Sequence, residues 1–408
     1  MTRPTFAHID LNALRQNYQY ASQLHGGRTL AVMKANAYGH GAVRCAQAIQ
    51  DMADGYAVAF TEEALELRAH GIVKPILVLE GVFDEQEMAI AFENQLSIVI
   101  HQHEQVELLE RYIQKNTSRT HPNSSPASQN HGQCLQNNDR NDSIAEDRHS
   151  HHAHQIDVWL KVDTGMHRLG FHPSEIASVE QRLRSHHLVR CVTLMTHFSR
   201  ADETDSAYTQ QQIQAFDQIA GGKIQDASLC NSAGILAWPS ARREWGRAGL
   251  MMYGADPTFS SVMAPSAQTA STTTEVKPHH NHLLPVMTLN SKVIAVRSVP
   301  AGEPIGYGAG YVTQRPTRIG VVAIGYGDGY PRHAATGTPV LVNKQLTNLI
   351  GRVCMDMLMV DLTDLPDTGI GSDVELWGKN LNVCVIAHHV GTVAHALLTG
   401  VMRVKRIH

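Results

Sequence analysis

Lys34 closes the apolar run of "LAVMKANAYGHG", Leu30 to Gly41, and lysine is among the residues least often buried. Two chemistries suit a cation there. Desolvated at the mouth of a fold, an ammonium loses affinity for its proton, and the neutral amine can attack a carbonyl to form a Schiff base. The other option is an ion pair with a carboxylate at the same end of the fold. Further motifs raise similar pairs of readings. "LKVDTGMHRLGF" gathers Lys161, Asp163 and Arg168, where Arg168 either grips a carboxylate through its fork or joins a structural ion-pair network. "MTHFSRAD" carries His197, either an acid–base group or a satisfied core histidine. "LCNSAG" sets Asn231, Ser232 and Gly234 where a strand gives way to a helix. The N–H groups there suit a phosphate and equally an ordinary N-cap. "GRAGLMMYG" contains Arg247, Gly249 and Leu250. "GEPIGYGAGY" presents Tyr307 on a loop of glycines, either a site residue or a surface residue of a hairpin. In "GRVCMDMLMVDL", Asp356 after Met355 interrupts an apolar run, so it needs a partner or borders a cavity.

Residues at strand ends act together only if the strands end together. From residue 8 to about 255, short apolar runs alternate with helical patterns. "TLAVMK", "GYAVAF", "PILVLEG", "LSIVIH", "DVWLKVDTG", "CVTLMTH" and "ASLCNSAG" read as brief buried strands ending in polar or glycine-rich corners. "GAVRCAQAIQDM" and "TEEALELRAHG" read as helices. In the second, Thr61, Glu62 and Glu63 suit the start and Gly71 the stop. Repeated β-then-α units predict a parallel sheet under helices. About seven or eight such units are the scale of a (β/α)8 TIM barrel, whose active-site groups sit at C-terminal strand ends. Lys34, Lys161, Asp163, His197 and Asn231 occupy such ends. From Leu284 onward, strands separated by Gly, Asp, Pro and Asn turns predict a mainly antiparallel β-domain, with no long helix before about Val385–Leu398.

The predicted fold class is therefore α/β, a (β/α)8 TIM barrel over 1–255 followed by a mainly β C-terminal domain over 285–408. A Ser-, Asn-, Gln- and His-rich insertion at about 116–154 interrupts the barrel. It cannot bury enough surface to offset its ordering entropy, and its "HSHHAH" tract reads as a solvated loop before a metal site. A polar linker, 256–284, joins the two domains.

With 408 residues, the length suits two domains or a large one with a smaller companion. A net charge of −4 argues against nucleic-acid and membrane partners. Six scattered cysteines without CxxC pairs suit a reduced, cytoplasmic protein. The N-terminus lacks the apolar core of a signal peptide, and no run approaches the roughly 20 apolar residues of a membrane helix.

Taken in order, "AVMKANAYGHG", "KVDTGMHRLG", "HFSRAD", "NSAG", the Arg-x-Gly-x-x-x-Tyr-Gly pattern from Arg247 to Gly254, "GYGAGY" and "GRVCMDM" resemble the alanine racemases. These are pyridoxal 5'-phosphate enzymes interconverting L-alanine and D-alanine. The resemblance implies a barrel with a β-domain and a head-to-tail homodimer whose active sites are shared between subunits. It implies that Lys34 carries the cofactor and, once freed, serves as the base on the D-face. Tyr307, supplied by the other subunit, would be the opposite base. An ordinary tyrosine titrates near about 10, so a tyrosine base needs a setting that favours its phenolate. His197 would lie behind Tyr307 and beside the cofactor. Arg247 would face the pyridine nitrogen and, being always protonated, would keep that nitrogen unprotonated and suppress side reactions. Arg168 would contact the substrate carboxylate, positioned by Lys161, which matches a lysine often carbamylated. Tyr38, Ser232 with neighbouring Asn231, and the amides of Gly249 and Leu250 would hold the phosphate. Met355 and Asp356 would reach the substrate from the partner subunit.

Some positions depart from the family pattern. Both polar insertions are additions. His395 stands where a phosphate-contacting Tyr is common, and the tail reads Arg-Val-Lys in place of Arg-Val-Pro. The product would serve peptidoglycan synthesis or alanine catabolism. The alternatives are a serine or broad-specificity racemase of the same fold, a barrel-class decarboxylase, or a non-catalytic cofactor-binding protein.

Overall fold

The computed structural model describes residues 3–117, 155–221, 226–259 and 282–408. Both polar insertions, including the "HSHHAH" tract, lie almost wholly outside the described residues. The chain forms two compact units. One comprises Ala21–Lys34 and Gln50–Ala248, the other Met1–Tyr20, Ala35–Ile49 and Gly249–His408. Strand β1 (Phe6–Ile9) and the helix Leu11–His25 open the chain.

The first unit is built on eight parallel strands: β2 (Arg28–Val32), β3 (Gly55–Val58), β4 (Ile76–Val78), β5 (Ser97–Ile100), β6 (Ile156–Lys161), β7 (Val189–Met195), β8 (Ala227–Ser228) and β9 (Trp245–Ala248). Their spatial order is β8-β7-β6-β5-β4-β3-β2-β9. The two edges meet: Ser228 Oγ donates to Trp245 O at 2.9 Å, and Arg247 N to Cys230 O at 3.0 Å. Strands covered on both faces read as continuous apolar runs, and every residue of β3, β5 and β6 is buried. Trp159 of β6 and Trp245 of β9 touch across the barrel, ring centroids 5.6 Å apart, and fill its interior. The predicted helix at Thr61 is present as Thr61–Ala69, and Glu63 accepts the Ala59 N–H at 2.7 Å. Of these eight, β9 is the one absent from the sequence reading. Its four residues, Trp-Gly-Arg-Ala, are too few and too polar to show an apolar run.

The second unit holds β10 (Met287–Val299), β11 (Pro304–Ile305), β12 (Tyr311–Val312), β13 (Thr317–Val322), β14 (Pro339–Val342), β15 (Gln345–Asn348), β16 (Leu358–Asp361), β17 (Asp373–Trp377) and β18 (Lys405–Ile407). The main sheet runs β15-β14-β17-β10-β1-β18, with β13 pairing β10 and β16. Thus β1, from the chain start, is antiparallel to β10 and parallel to the terminal β18. On β10, Met287, Leu289, Ser291 and Val293 are buried at alternate positions, the period expected of a strand with one face inward.

Three local expectations are refined. "PVLVNKQL" is a hairpin, because Asn343 (φ 48°) and Lys344 (φ 64°) make the left-handed turn that two-residue connections need. In "GRVCMDMLMVDL" only Leu358–Asp361 is strand, so Asp356 lies in an exposed turn rather than inside an apolar strand. The helix expected near 385–398 is two, Val383–His389 and Ala394–Gly400, bent by 107°. Gly391 at φ 66° breaks it between them. Among the described residues no single helix is long and apolar enough to cross a membrane. Cys45, Cys230, Cys354 and Cys384 are free thiols.

Asp328 ties distant parts of the second unit together. Its carboxylate is fully buried, pairs with Arg3, and accepts Gly325 N at 3.0 Å and Arg403 Nε at 3.2 Å. Burial alone would raise its pKa, but the Arg3 bond, the Gly325 N–H and the Arg403 charge outweigh it and hold the carboxyl below the usual range. A depressed carboxylate contributes stability above its unfolded value, about 4, and loses it as pH falls through the folded value. Asp328→Asn is expected to lower unfolding stability at pH 7 by about 1–3 kcal/mol. Urea titrations should show that difference shrinking below about pH 4.

Candidate active site

At the C-terminal ends of the barrel strands, four cations share one neighbourhood. Lys34 follows β2, Lys161 ends β6, Arg247 lies in β9, and Arg168 sits in the turn after β6. Burial is the main cause holding the Lys34 amine below the ordinary lysine range. Glu80 and Glu63 oppose the shift, and Arg168 and Arg247 add to it. Lys161 is pushed down to about 8 by burial, against Glu80 and with the help of Arg247, Arg168 and Lys34. Glu80 is therefore the carboxylate whose charge acts on both lysines. It was legible at the end of "PILVLEG" but was not singled out.

Arg247 is buried, and among the described residues no carboxylate lies within ion-pair distance of it. Its guanidinium is instead met by oxygens: Ser228 O at 3.0 Å and Oγ at 2.5 Å, Thr196 O at 2.7 Å and Leu229 O at 3.2 Å. Burial lowers it to about 10. All these bonds use Nη1 and Nη2. Arg247 Nη2 also lies 3.5 Å from His197 Nδ1. An arginine can only donate, so His197 Nδ1 accepts and its proton sits on Nε2. His197 is held neutral, well below its ordinary value, first by burial and then by Arg247, Lys161, Arg168 and Lys34.

A shallow depression is lined by Lys161, Asp163, Arg168 and His197. Asp163 shapes its rim, accepting Gly165 N at 2.9 Å and His167 N at 3.0 Å, while Arg168 is exposed. Asn231 caps the helix Ser232–Ala237, its Oδ1 accepting Gly234 N at 2.9 Å. The N-cap reading therefore holds for Asn231, and Ser232 is the buried first residue of that helix.

The second unit begins directly after Lys34 with a left-handed turn. Ala35 (φ 52°), Asn36 (φ 54°), Ala37 (φ 53°) and Tyr38 (φ 52°) are all left-handed. For residues other than Gly and Asn this costs roughly 1–2 kcal/mol each, a strain characteristic of functional sites. Three bonds close the turn, each at 3.0 Å: Gly39 N to Ala35 O, His40 N to Ala37 O, and Gly41 N to Asn36 O. Asn36 Oδ1 then accepts Ala42 N at 2.7 Å, starting the helix Ala42–Ile49. Gly39 is required, since a Cβ there would stand 2.3 Å from Leu398 O. Tyr38 is buried, and burial raises its phenol above the usual range, so it stays an O–H donor. Its ring stacks on Tyr253 at 4.8 Å and is tilted against His395 at 5.6 Å. His395, which stands in place of a common Tyr, thus lies beside Tyr38. Gly249 and Leu250 are buried where the short helix Leu250–Tyr253 begins.

Tyr307 stands on the β11–β12 hairpin and is 69% exposed. Met355 and Asp356 are exposed as well, and Asp356 pairs with Arg403 at 2.6 Å. Structural pairing thus accounts for Asp356 within one chain. His40, Tyr253 and Ser228 all lie inside quoted stretches, but their contribution becomes visible only through ring stacking and hydrogen bonding.

The family model "Alanine racemase, N-terminal domain" matches residues 9–257, and "Alanine racemase, C-terminal domain" matches 286–408. A Pseudomonas putida protein named "Alanine racemase, catabolic" is 46% identical over 404 residues, covering 99% of this chain and 98% of its own. An Azoarcus alanine racemase is 47% identical over 402 residues, covering 98% of each. The crystal structure of the biosynthetic alanine racemase from Pseudomonas aeruginosa superposes with a TM-score of 0.82 at 40% identity, covering 100% of this chain and 99% of that one. With both halves matched by the family's models and near-full-length relatives at these identities, the chain belongs to the alanine racemase family.

Proposed function

We propose that this alanine racemase interconverts L- and D-alanine with pyridoxal phosphate on Lys34, Lys34 and Tyr307 acting as the two bases. The family depends on this cofactor, and the residues present fit it. A desolvated lysine amine suits bond formation to an aldehyde. At the barrel mouth Glu80 and Glu63 are the carboxylates that act on Lys34, and the four cations beside them suit an anionic ligand. Arg247 Nε–H makes no hydrogen bond among the described residues, leaving a donor for a ring nitrogen. When bound, the cofactor acidifies the α-proton of the amino acid by delocalising the charge left behind.

The observation that carries the reading is the buried Lys34 amine held below the ordinary lysine range. A neutral Nζ can accept the α-proton on one face and return it. Inversion requires a second group opposite, and Tyr307 is a phenol on an exposed hairpin. The neutral Nε2–H of His197 is suited to donate to that phenolate. Arg168 offers its fork to the substrate carboxylate, with Met355 and Asp356 beside it from the partner subunit. Tyr38, Ser232 and the amides of Gly249 and Leu250 hold the phosphate, with Asn231 and His395 beside them. The exposed Tyr307 and Met355 support a homodimer in which one subunit completes the other's site.

Lys161, with its amine near 8, is suited to carbamylation. A neutral amine adds to CO2 and releases one proton, and the resulting anion would relieve the repulsion among Arg168, Arg247 and Lys34. Under 13C-labelled CO2, a carbamate carbon signal is expected by NMR in the wild type and absent in Lys161→Ala. Its presence in both would remove the assignment.

Tyr307→Phe is expected to slow α-proton exchange of L-alanine in D2O by about 10²–10⁴-fold, the usual contribution of a general base. Exchange of D-alanine should be less affected, and equal losses for both enantiomers would contradict the two-base assignment. Lys34→Ala and Tyr307→Phe, each inactive alone, should regain up to about a quarter of wild-type activity when dissociated and reassembled together. Only hybrid dimers with sites shared between subunits contain an intact pair. No recovery, with hybrids verified by mass, would place both bases in one chain.

A further inference from the structure

His40 is the residue of "KANAYGHG" to which the two-base scheme gives no task. It is fully buried in the second unit. Its Nδ1 lies 2.9 Å from Ala37 O and 3.0 Å from Tyr38 O. Both partners can only accept, so Nδ1 carries the proton. Burial, against those two backbone bonds and with help from Arg406 and His408, pushes the imidazole down to about 4, so the ring is neutral at physiological pH. Nε2 has no partner among the described residues. The His40 ring stacks on Tyr253, centroids 4.6 Å apart at 28°, and the other aromatic neighbour of Tyr253 is Tyr38 at 4.8 Å and 29°. The next carbonyl, Gly39 O, accepts from Arg406 Nε. Three successive carbonyls of the strained turn are thus satisfied by side chains, two of them by one imidazole N–H.

We propose that His40 is a positioning residue for the cofactor phosphate, acting through Tyr38. The N–H shared between the Ala37 and Tyr38 carbonyls holds the left-handed turn, and the ring, through Tyr253, sets the tilt of the Tyr38 phenol. A structural histidine of this size could be replaced by any ring that fills the space. A positioning one requires both the N–H and the ring. The proposal rests on the reading that Tyr38 meets the phosphate, and its test separates the two.

The full chain, stripped of cofactor, is titrated with pyridoxal phosphate and with pyridoxal, which lacks the phosphate, following the visible band. His40→Phe keeps the ring and loses the N–H. It is expected to weaken pyridoxal phosphate by about three- to tenfold, the worth of one hydrogen bond. Pyridoxal affinity should not change, and the substitution should have no further effect in a Tyr38→Phe background. His40→Asn returns an N–H near Nδ1 without the ring and should recover part of the loss. Should His40→Phe not fold, the loss in His40→Asn must itself be confined to the phosphate-bearing ligand. Equal weakening of both ligands, an undiminished loss in the Tyr38→Phe background, or unchanged affinity overturns the proposal. Tyr38→Phe binding both ligands as the wild type does overturns the phosphate reading and the proposal together. A normal Tyr38 effect with no His40 effect overturns only the proposal.

Discussion

Desolvation of positive charge at the barrel mouth is the constraint to which the rest of this site answers. Burial, and after it the charges of Arg168 and Arg247, depresses the proton affinity of Lys34 and Lys161. Such a cluster is costly unless its members lose protons, gain oxygens or gain an anion. Each solution is used. The lysines lose affinity for their protons. Arg247 keeps its charge and is wrapped by Ser228, Thr196 and Leu229 oxygens. His197 stays neutral beside it. The remaining positive charge suits an anionic ligand.

A second constraint begins one residue later. The chain leaves Lys34 through four left-handed residues in succession, which the stereochemistry of L-amino acids disfavours. The conformation persists because neighbouring groups over-determine it: backbone bonds within the turn, the His40 ring, Arg406 on Gly39 O, and Leu398 O packed where a Cβ of residue 39 would be. The result is a buried phenol at Tyr38 that remains protonated, backed by the ring of Tyr253. Strain in the backbone is thereby exchanged for a fixed O–H donor, which suits recognition of phosphate oxygens.

The β-domain meets a different requirement. Tyr307 and Met355 project from glycine-rich turns with little covering them, while the framework beneath is rigid. There, Asp328 joins Arg3, Gly325 and Arg403, and Arg403 carries on to Asp356. The terminal strand β18 lies against β1, so residues from both ends of the chain share one sheet with β10. An exposed side chain at the tip of such a turn keeps its place only if the base is stiff, because its own chain supplies few contacts at the tip.

Much of this was legible in the order of residues. Seven barrel strands, the helix at Thr61, the β-domain and the placing of Lys34, Lys161 and His197 at strand ends follow from apolar periodicity and from turn chemistry, which are local properties. What local pattern could not reach was set by long-range geometry. Strand β9 is four residues whose strand character comes from the neighbours β2 and β8 rather than from its own composition. The break between the two terminal helices and the hairpin at Asn343 hinge on single left-handed residues. The left-handed turn contradicts the propensities of its own alanines. The sequence by itself determined which groups were available and that the strands would present them at one end. Only the tertiary structure decided their protonation and orientation, because burial, the lack of a carboxylate beside Arg247, and the column of His40, Tyr253 and Tyr38 arise from residues far apart in the chain.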